Sequence, residues 1–213
     1  MNNEKEKKED EETFSIITLG ESGVGKTSIL KRFVYDRFDE ENISTIGINF
    51  AFKEIALNNN TKIKIRVIDT AGQEKYRSLS KSYFKNAEAV LYVFSLDKEG
   101  SLEKIKEWIK LFKENNNSLD IPAYLIRNKI DLEDEFDEES IKDLLNEKHI
   151  RDFMSASAKN DINISKIFED IANLWYEKYR KLNKKQTKTS ELNLKEIDRI
   201  KGKNRCHCIK GDL

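Results

Sequence analysis

Gly20-Glu21-Ser22-Gly23-Val24-Gly25-Lys26-Thr27 is the stretch on which the fold turns, because of what stands on either side of it. Residues 14–19 form a short, nearly continuous apolar run, the pattern of a strand buried on both faces of a parallel sheet. Residues 28–35 carry a helical period. The octapeptide fits G-x-x-x-x-G-K-[ST] and lies between strand and helix, the context that gives the pattern its meaning. Glycines let a loop backbone wrap an anion with its N–H groups turned inward, and the helix beyond it adds its positive end. Ser22, Gly23, Val24, Gly25, Lys26, Thr27 and Ser28 are therefore read as a phosphate-binding set. Lys26 is placed to reach β- and γ-phosphate oxygens, and the Thr27 hydroxyl to coordinate Mg²⁺. The motif implies a nucleoside triphosphate and leaves the base open.

Outward from this loop the chain alternates strand and helix patterns. Residues 89–96 and 121–126 are further apolar runs. Ile46, Ile48, Phe50 and Phe52 alternate with mostly polar neighbours, as do Ile63, Ile65 and Val67, which is the period of strands with one wet face. Asn58-Asn59-Asn60 between them predicts a hairpin turn. Leu102, Ile105, Trp108, Ile109 and Phe112 mark a helix, and Ile164, Ile167, Phe168, Ile171, Leu174 and Trp175 a stronger one. A weaker helix fits residues 138–146. The order predicts an α/β fold with a mostly parallel sheet and one antiparallel edge strand.

Three more motifs lie at the carboxyl ends of predicted strands, where open α/β sheets bind ligands. They are Asp69-Thr70-Ala71-Gly72-Gln73-Glu74, Asn128-Lys129-Ile130-Asp131 and Ser157-Ala158-Lys159. With these, residues 13–182 resemble the small GTPase family of Ras-like proteins. The resemblance implies a P-loop G domain with six strands and helices on both faces. It implies that Asp131 accepts hydrogen bonds from guanine N1–H and the exocyclic amine. Adenine lacks both donors and would leave the carboxylate unpaired. Asn128 and Lys129 resemble the family's loop-bracing and base-stacking residues. Ser157, Ala158 and Lys159 resemble its third base loop, where Ala158 would donate to guanine O6. Phe38 stands where the family places a ring against the base. Metal ligation is implied for Thr27, Thr45 and Asp69, with Mg²⁺ the cofactor and GTP and GDP substrate and product. Gly72 would contact the γ-phosphate, and Gln73 would orient the attacking water, with Lys26 and Thr45 completing the catalytic set. Loss of the γ-phosphate would release the loops that hold Thr45 and Gly72.

Ile46-Gly47-Ile48-Asn49-Phe50, Lys64-Ile65-Arg66-Val67-Ile68, Lys75-Tyr76-Arg77-Ser78-Leu79 and Tyr83-Phe84-Lys85-Asn86-Ala87 are similar to segments of the Rab branch. That branch implies an exchange factor, a GTPase-activating protein, a GDP-dissociation inhibitor or escort protein, and effectors on a surface formed by Phe50, Ile68 and Tyr83. It also implies a monomer that cycles from the cytoplasm onto the cytosolic face of intracellular membranes in vesicle traffic. Two residues depart from the pattern: Ile68 where the branch carries tryptophan, and Arg127 where it carries glycine.

Residues 1–12 carry six acids against three lysines, and residues 181–205 nine basic residues against three acids. Neither end has core-forming periodicity, so 1–12 and 183–213 are read as solvated extensions flanking the domain at 13–182. The basic tail gains affinity for an anionic membrane surface. Cys206-His207-Cys208 resembles a C-x-C prenylation signal, although Ile209-Lys210-Gly211-Asp212-Leu213 come after it. Unmodified thiols are the alternative, with a Cys-His-Cys metal site a weaker one. Across the chain, 39 basic and 39 acidic residues cancel, which speaks against a nucleic-acid ligand. Two cysteines one residue apart build no disulfide framework. A nucleotide-holding scaffold without hydrolysis and a P-loop ATPase or nucleoside kinase are the competing functions. The intact Gln73, Thr45 and Lys26 argue against the first, and Asn128-Lys129-Ile130-Asp131 against the second.

Overall fold

A computed structural model describes residues 13–40, 45, 47–70, 82–116, 121–132 and 136–178. The chain divides into two units, Met1–Trp175 and Tyr176–Leu213, and the whole sheet belongs to the first. Six strands form that sheet in the order β2-β3-β1-β4-β5-β6. They are β1 (Thr13–Leu19), β2 (Ile48–Ala56), β3 (Lys62–Thr70), β4 (Ala89–Phe94), β5 (Ala123–Arg127) and β6 (Ile150–Ser155). β2 pairs antiparallel with β3, and every other pairing is parallel. The asparagine turn behaves as expected. Asn60 takes a positive φ, its N–H donates to Leu57 O at 2.8 Å, and Thr61 N–H donates to Asn59 Oδ1 at 3.1 Å.

Period two along β1 sorts the core into two layers. Ile17 and Leu19 face a cluster with Val90, Tyr92 and Phe94 of β4 and with Ile105, Trp108, Ile109 and Phe112 of α2 (Ile105–Asn115). Phe14 and Ile16 point to the opposite face. There Phe14 stacks on Trp175 at 4.5 Å, and Phe33 of α1 (Lys26–Tyr35) stacks on Phe168 at 3.7 Å. Trp175 and Phe168 both come from the helix that begins at residue 164. Helices thus cover both faces of the sheet, and the described residues of the four sequence motifs lie at the carboxyl ends of β1, β3, β5 and β6. The expected helix at 138–146 is a 3₁₀ turn, Glu138–Ile141, continued by α3 (Lys142–Leu145). Among the described residues, no helix is long and apolar enough to cross a membrane.

Two expectations on the edge hairpin need correction. Apolar alternation in β2 predicts that Phe50 and Phe52 lie on its dry face. They are 43% and 51% exposed, whereas Ala51 is buried. The inward face is the one that carries Ala51 and Lys53, and Lys53 lays its ammonium over the Phe33 ring at 4.6 Å while donating to Phe33 O. A long amphipathic lysine covers apolar surface that period alone assigns to phenylalanine. Asp69 and Thr70, expected just after the third strand, are its last two residues.

One buried polar pair lies away from the motifs. His149 is 6% exposed, its Nε2 is 3.3 Å from the Tyr92 hydroxyl, and its Nδ1 has no hydrogen-bond partner among the described residues. Burial pulls its pKa down to about 4; Lys113 and Arg151 push the same way and Glu147 against them. A histidine held neutral when folded but titrating normally when unfolded stabilises the fold fully above about pH 6.5, and that contribution is lost as pH falls toward 4. Thermal melts are expected to show about 1 kcal/mol of stability lost to His149 by pH 5.5. His149→Gln should flatten that limb; an unchanged pH profile in the variant would remove His149 as its cause.

Candidate nucleotide-binding site

The phosphate loop joins β1 to α1. Gly25 caps α1 in the left-handed region, with no side-chain cap and no acid in the first turn, so the free N–H groups of the helix start are left for an anion. Val24 is fully buried and anchors the loop; Ser22 and Ser28 are half-buried, and Gly23 is exposed. Lys26 is 5% exposed, and its Nζ donates to Gly20 O at 2.9 Å and to Glu21 O at 2.8 Å. Desolvation lowers its pKa to about 8, against the pull of Asp69 and Glu21. The Glu21 carboxylate in turn accepts from Trp108 Nε1 at 3.1 Å, which ties the loop to α2.

Beside the loop three oxygen-bearing side chains converge. Thr27 Oγ1 donates to Asp69 Oδ2 at 2.7 Å and lies 2.6 Å from Thr45 Oγ1. A hydroxyl has one proton, so Thr45 is the donor in the second contact. Asp69 is fully buried, and desolvation raises its pKa against the Thr27 hydrogen bond and the Lys26 charge. A buried carboxylate with two hydroxyls is a hard, all-oxygen set. No group of three or more His, Cys, Asp or Glu side chains suited to a metal occurs among the described residues.

The base-side residues also come together. Phe38, Asn128, Lys129, Asp131, Ala158 and Lys159 line one pocket of about 370 Å³, together with Gly25 and Ser28 of the phosphate loop and α1. Asn128, 2% exposed, braces three segments: its Nδ2 donates to Val24 O at 2.9 Å, its Oδ1 accepts from Ala158 N–H at 3.3 Å, and its own N–H donates to Phe94 O. Ser157 does not line the pocket. It is buried, and its hydroxyl donates to Asp131 Oδ1, fixing that carboxylate. Lys129 takes a positive φ and its Nζ pairs with Asp97 at 2.7 Å.

Sequence reasoning missed Asp97, Glu40 and Leu132, which share the pocket lining. Asp97 lies just beyond β4, and the carboxyl-end position of its turn was the available signal. Arg127, whose role the sequence left open, holds its guanidinium over the Phe136 ring at 4.6 Å; Phe136 also stacks on Phe153. The departure from glycine thus packs the strand end that carries Asn128. Gly72 and Gln73 lie outside the described residues, as do Ile46, Cys206 and Cys208.

The expected surface of Phe50, Ile68 and Tyr83 is corrected in one member. The rings of Phe50 and Tyr83 meet at 5.3 Å, with Phe50 exposed and Tyr83 partly so. Ile68 is fully buried in the cluster with Ile17 and Phe84. β3 lies between β1 and β2, where Ile68 is the register partner of Phe50, and Tyr83 packs against the cluster that holds Ile68.

Comparison with known proteins agrees with this geometry. Residues 15–177 match the Ras family. The chain is 34% identical to Ras-related protein Rab-13 of Rattus norvegicus over 196 residues, covering 91% of this chain and 95% of that protein. It is 36% identical to Ras-related protein SEC4 of Saccharomyces cerevisiae over 163 residues, 76% and 75% of the two chains. It is 38% identical to Ras-related protein Rab-10 of Diplobatis ommata over 160 residues, 75% and 79%. The chain belongs to the Ras family and is a Rab-type small GTPase.

Proposed function

We propose that this chain is a slow GTP–GDP switch that recruits effectors to the cytosolic face of intracellular membranes. The observation that carries the reading is that the residues assigned to phosphate, metal and base meet at one end of the sheet. Thr27 lies within hydrogen-bond distance of both Thr45 and Asp69, and Asp131, Asn128 and Lys129 share a pocket with Gly25. The all-oxygen set suits Mg²⁺, which, when bound, would neutralise charge on the β- and γ-phosphate oxygens.

The protein's own groups do the rest in this reading. Lys26, with a pKa near 8, is mostly protonated at neutral pH and exchanges its loop carbonyls for phosphate oxygens. Asp131 accepts from the guanine edge, and Ser157 keeps it aimed. Gln73 orients water and Gly72 contacts the γ-phosphate, as the family resemblance implies. No arginine for the transition state is evident in the sequence motifs, so intrinsic turnover is expected on the order of 10⁻⁴ s⁻¹, with a GTPase-activating protein needed for speed. An exchange factor, a GDP-dissociation inhibitor or escort protein, effectors over Phe50 and Tyr83, and lipid attachment at Cys206 and Cys208 complete the cycle.

Single-turnover hydrolysis of radiolabelled GTP tests this. Slow phosphate release that Gln73→Leu suppresses and excess ATP leaves undisturbed is the expected result. GTP that stays bound and intact in the parent protein would replace the switch with a nucleotide-holding scaffold.

A further inference from the structure

The turn between β4 and α2 touches both halves of the site. At its start, Asp97 lines the base pocket and holds Lys129. The next residue, Lys98, reaches the phosphate loop: a Cβ built on Gly23 would lie 2.8 Å from Lys98 Cε and 3.5 Å from its Nζ. The turn that presents them is closed twice. Lys98 N–H donates to Ser95 O and Ser101 N–H to Lys98 O, while the Ser101 hydroxyl donates to Ser95 O and accepts from Ser95 N–H. No carboxylate among the described residues lies within ion-pair distance of the Lys98 ammonium.

A cation resting on the outer side of the phosphate loop, one residue from the group that fixes Lys129, stands where charge acts on a bound nucleotide's phosphates. We propose that Lys98 is a second phosphate-site cation, supplied in cis by the β4–α2 turn, that retains the nucleotide. The inference rests on the nucleotide-switch reading above. Lys26 is buried and fixed by the loop it fills, so it supplies geometry. Lys98 is exposed and acts through a partly screened field, so it changes how long nucleotide stays bound rather than whether the site forms. Its contribution grows with phosphate charge and weakens with salt.

The experiment measures release of tritiated GDP from full-length protein, with competition by guanosine, GMP and GDP. Lys98→Gln is expected to speed GDP release about three- to fivefold, the scale of one exposed charge interaction. The affinity loss should be absent for guanosine and increase from GMP to GDP. Lys98→Arg should restore retention, and about 0.5 M salt should erase the difference between variants. Equal GDP release in Lys98→Gln and wild type would overturn the proposal. So would an equal loss for guanosine, which would make Lys98 a packing residue on the loop. Wild-type protein that fails to hold GDP would overturn the switch reading, and the proposal with it.

Discussion

Asp131→Asn is expected to lower affinity for GTP about a thousandfold and to give part of it back to xanthosine triphosphate. Asp131 lines the base pocket just beyond β5, and one of its oxygens accepts from the buried Ser157 hydroxyl. That contact fixes the carboxylate while leaving acceptor capacity toward the pocket. Guanine presents two donors in a row, N1–H and the exocyclic amine, and a carboxylate satisfies both. Asparagine replaces one acceptor with an NH₂ group, so one donor of the base meets a donor of the protein. Hydrogen bonds to a charged group contribute about 1.5–3 kcal/mol each, and disturbing two of them corresponds to roughly three decades in affinity. Xanthine has a carbonyl in place of the amine, which pairs with the new NH₂. The asparagine oxygen still accepts from Ser157, so the melting temperature should stay near that of wild type. Equilibrium competition with GTP, ATP and xanthosine triphosphate reads all of this. Unchanged GTP affinity would take Asp131 out of base recognition.

Much of this site is legible in the sequence. The four motifs announce themselves because each needs particular residue types at fixed spacing: glycines in the phosphate loop, a carboxylate at a strand end, an amide that braces a loop. The sheet is equally legible, since residues 14–19 are apolar on both faces and three successive asparagines leave little but a turn. What escapes lies in contacts between segments far apart in sequence. Apolar period places Phe50 and Phe52 inward, but nothing local says that Lys53 will cover the Phe33 ring instead. Resemblance places Ile68 at the surface because an aromatic there reaches outward. The aliphatic is instead fully buried in the core cluster with Ile17 and Phe84. Asp97 and Lys98 belong to no motif, and their value comes from the place where the β4–α2 turn sets them, against Lys129 and Gly23.

Gly25→Ala is expected to abolish measurable GDP retention and to destabilise the fold by about 4 kcal/mol, whereas Gly100→Ala should do neither. Both glycines have positive φ, 93° and 70°, so backbone strain alone costs each substitution about 1–2 kcal/mol. They differ in what a methyl group meets. At Gly100 nothing lies within 4 Å, and at Gly25 the new Cβ would sit 2.2 Å from Asn128 Nδ2. Asn128 has nowhere to retreat without cost. It is 2% exposed, and its side chain joins Val24 O on the phosphate loop to the Ala158 N–H on the base side. Displacing it leaves a buried carbonyl and a buried N–H unpaired, about 1–3 kcal/mol each, and parts the two halves of the nucleotide site in one step. GDP release and thermal melts on both variants measure the contrast. A Gly25→Ala protein that keeps its GDP would show that the asparagine brace is dispensable. Equal damage from Gly100→Ala would assign the loss to backbone strain instead. The expected split between them makes a specific claim about the site: its phosphate and base loops are held as one unit by an amide that only a bare glycine leaves room for.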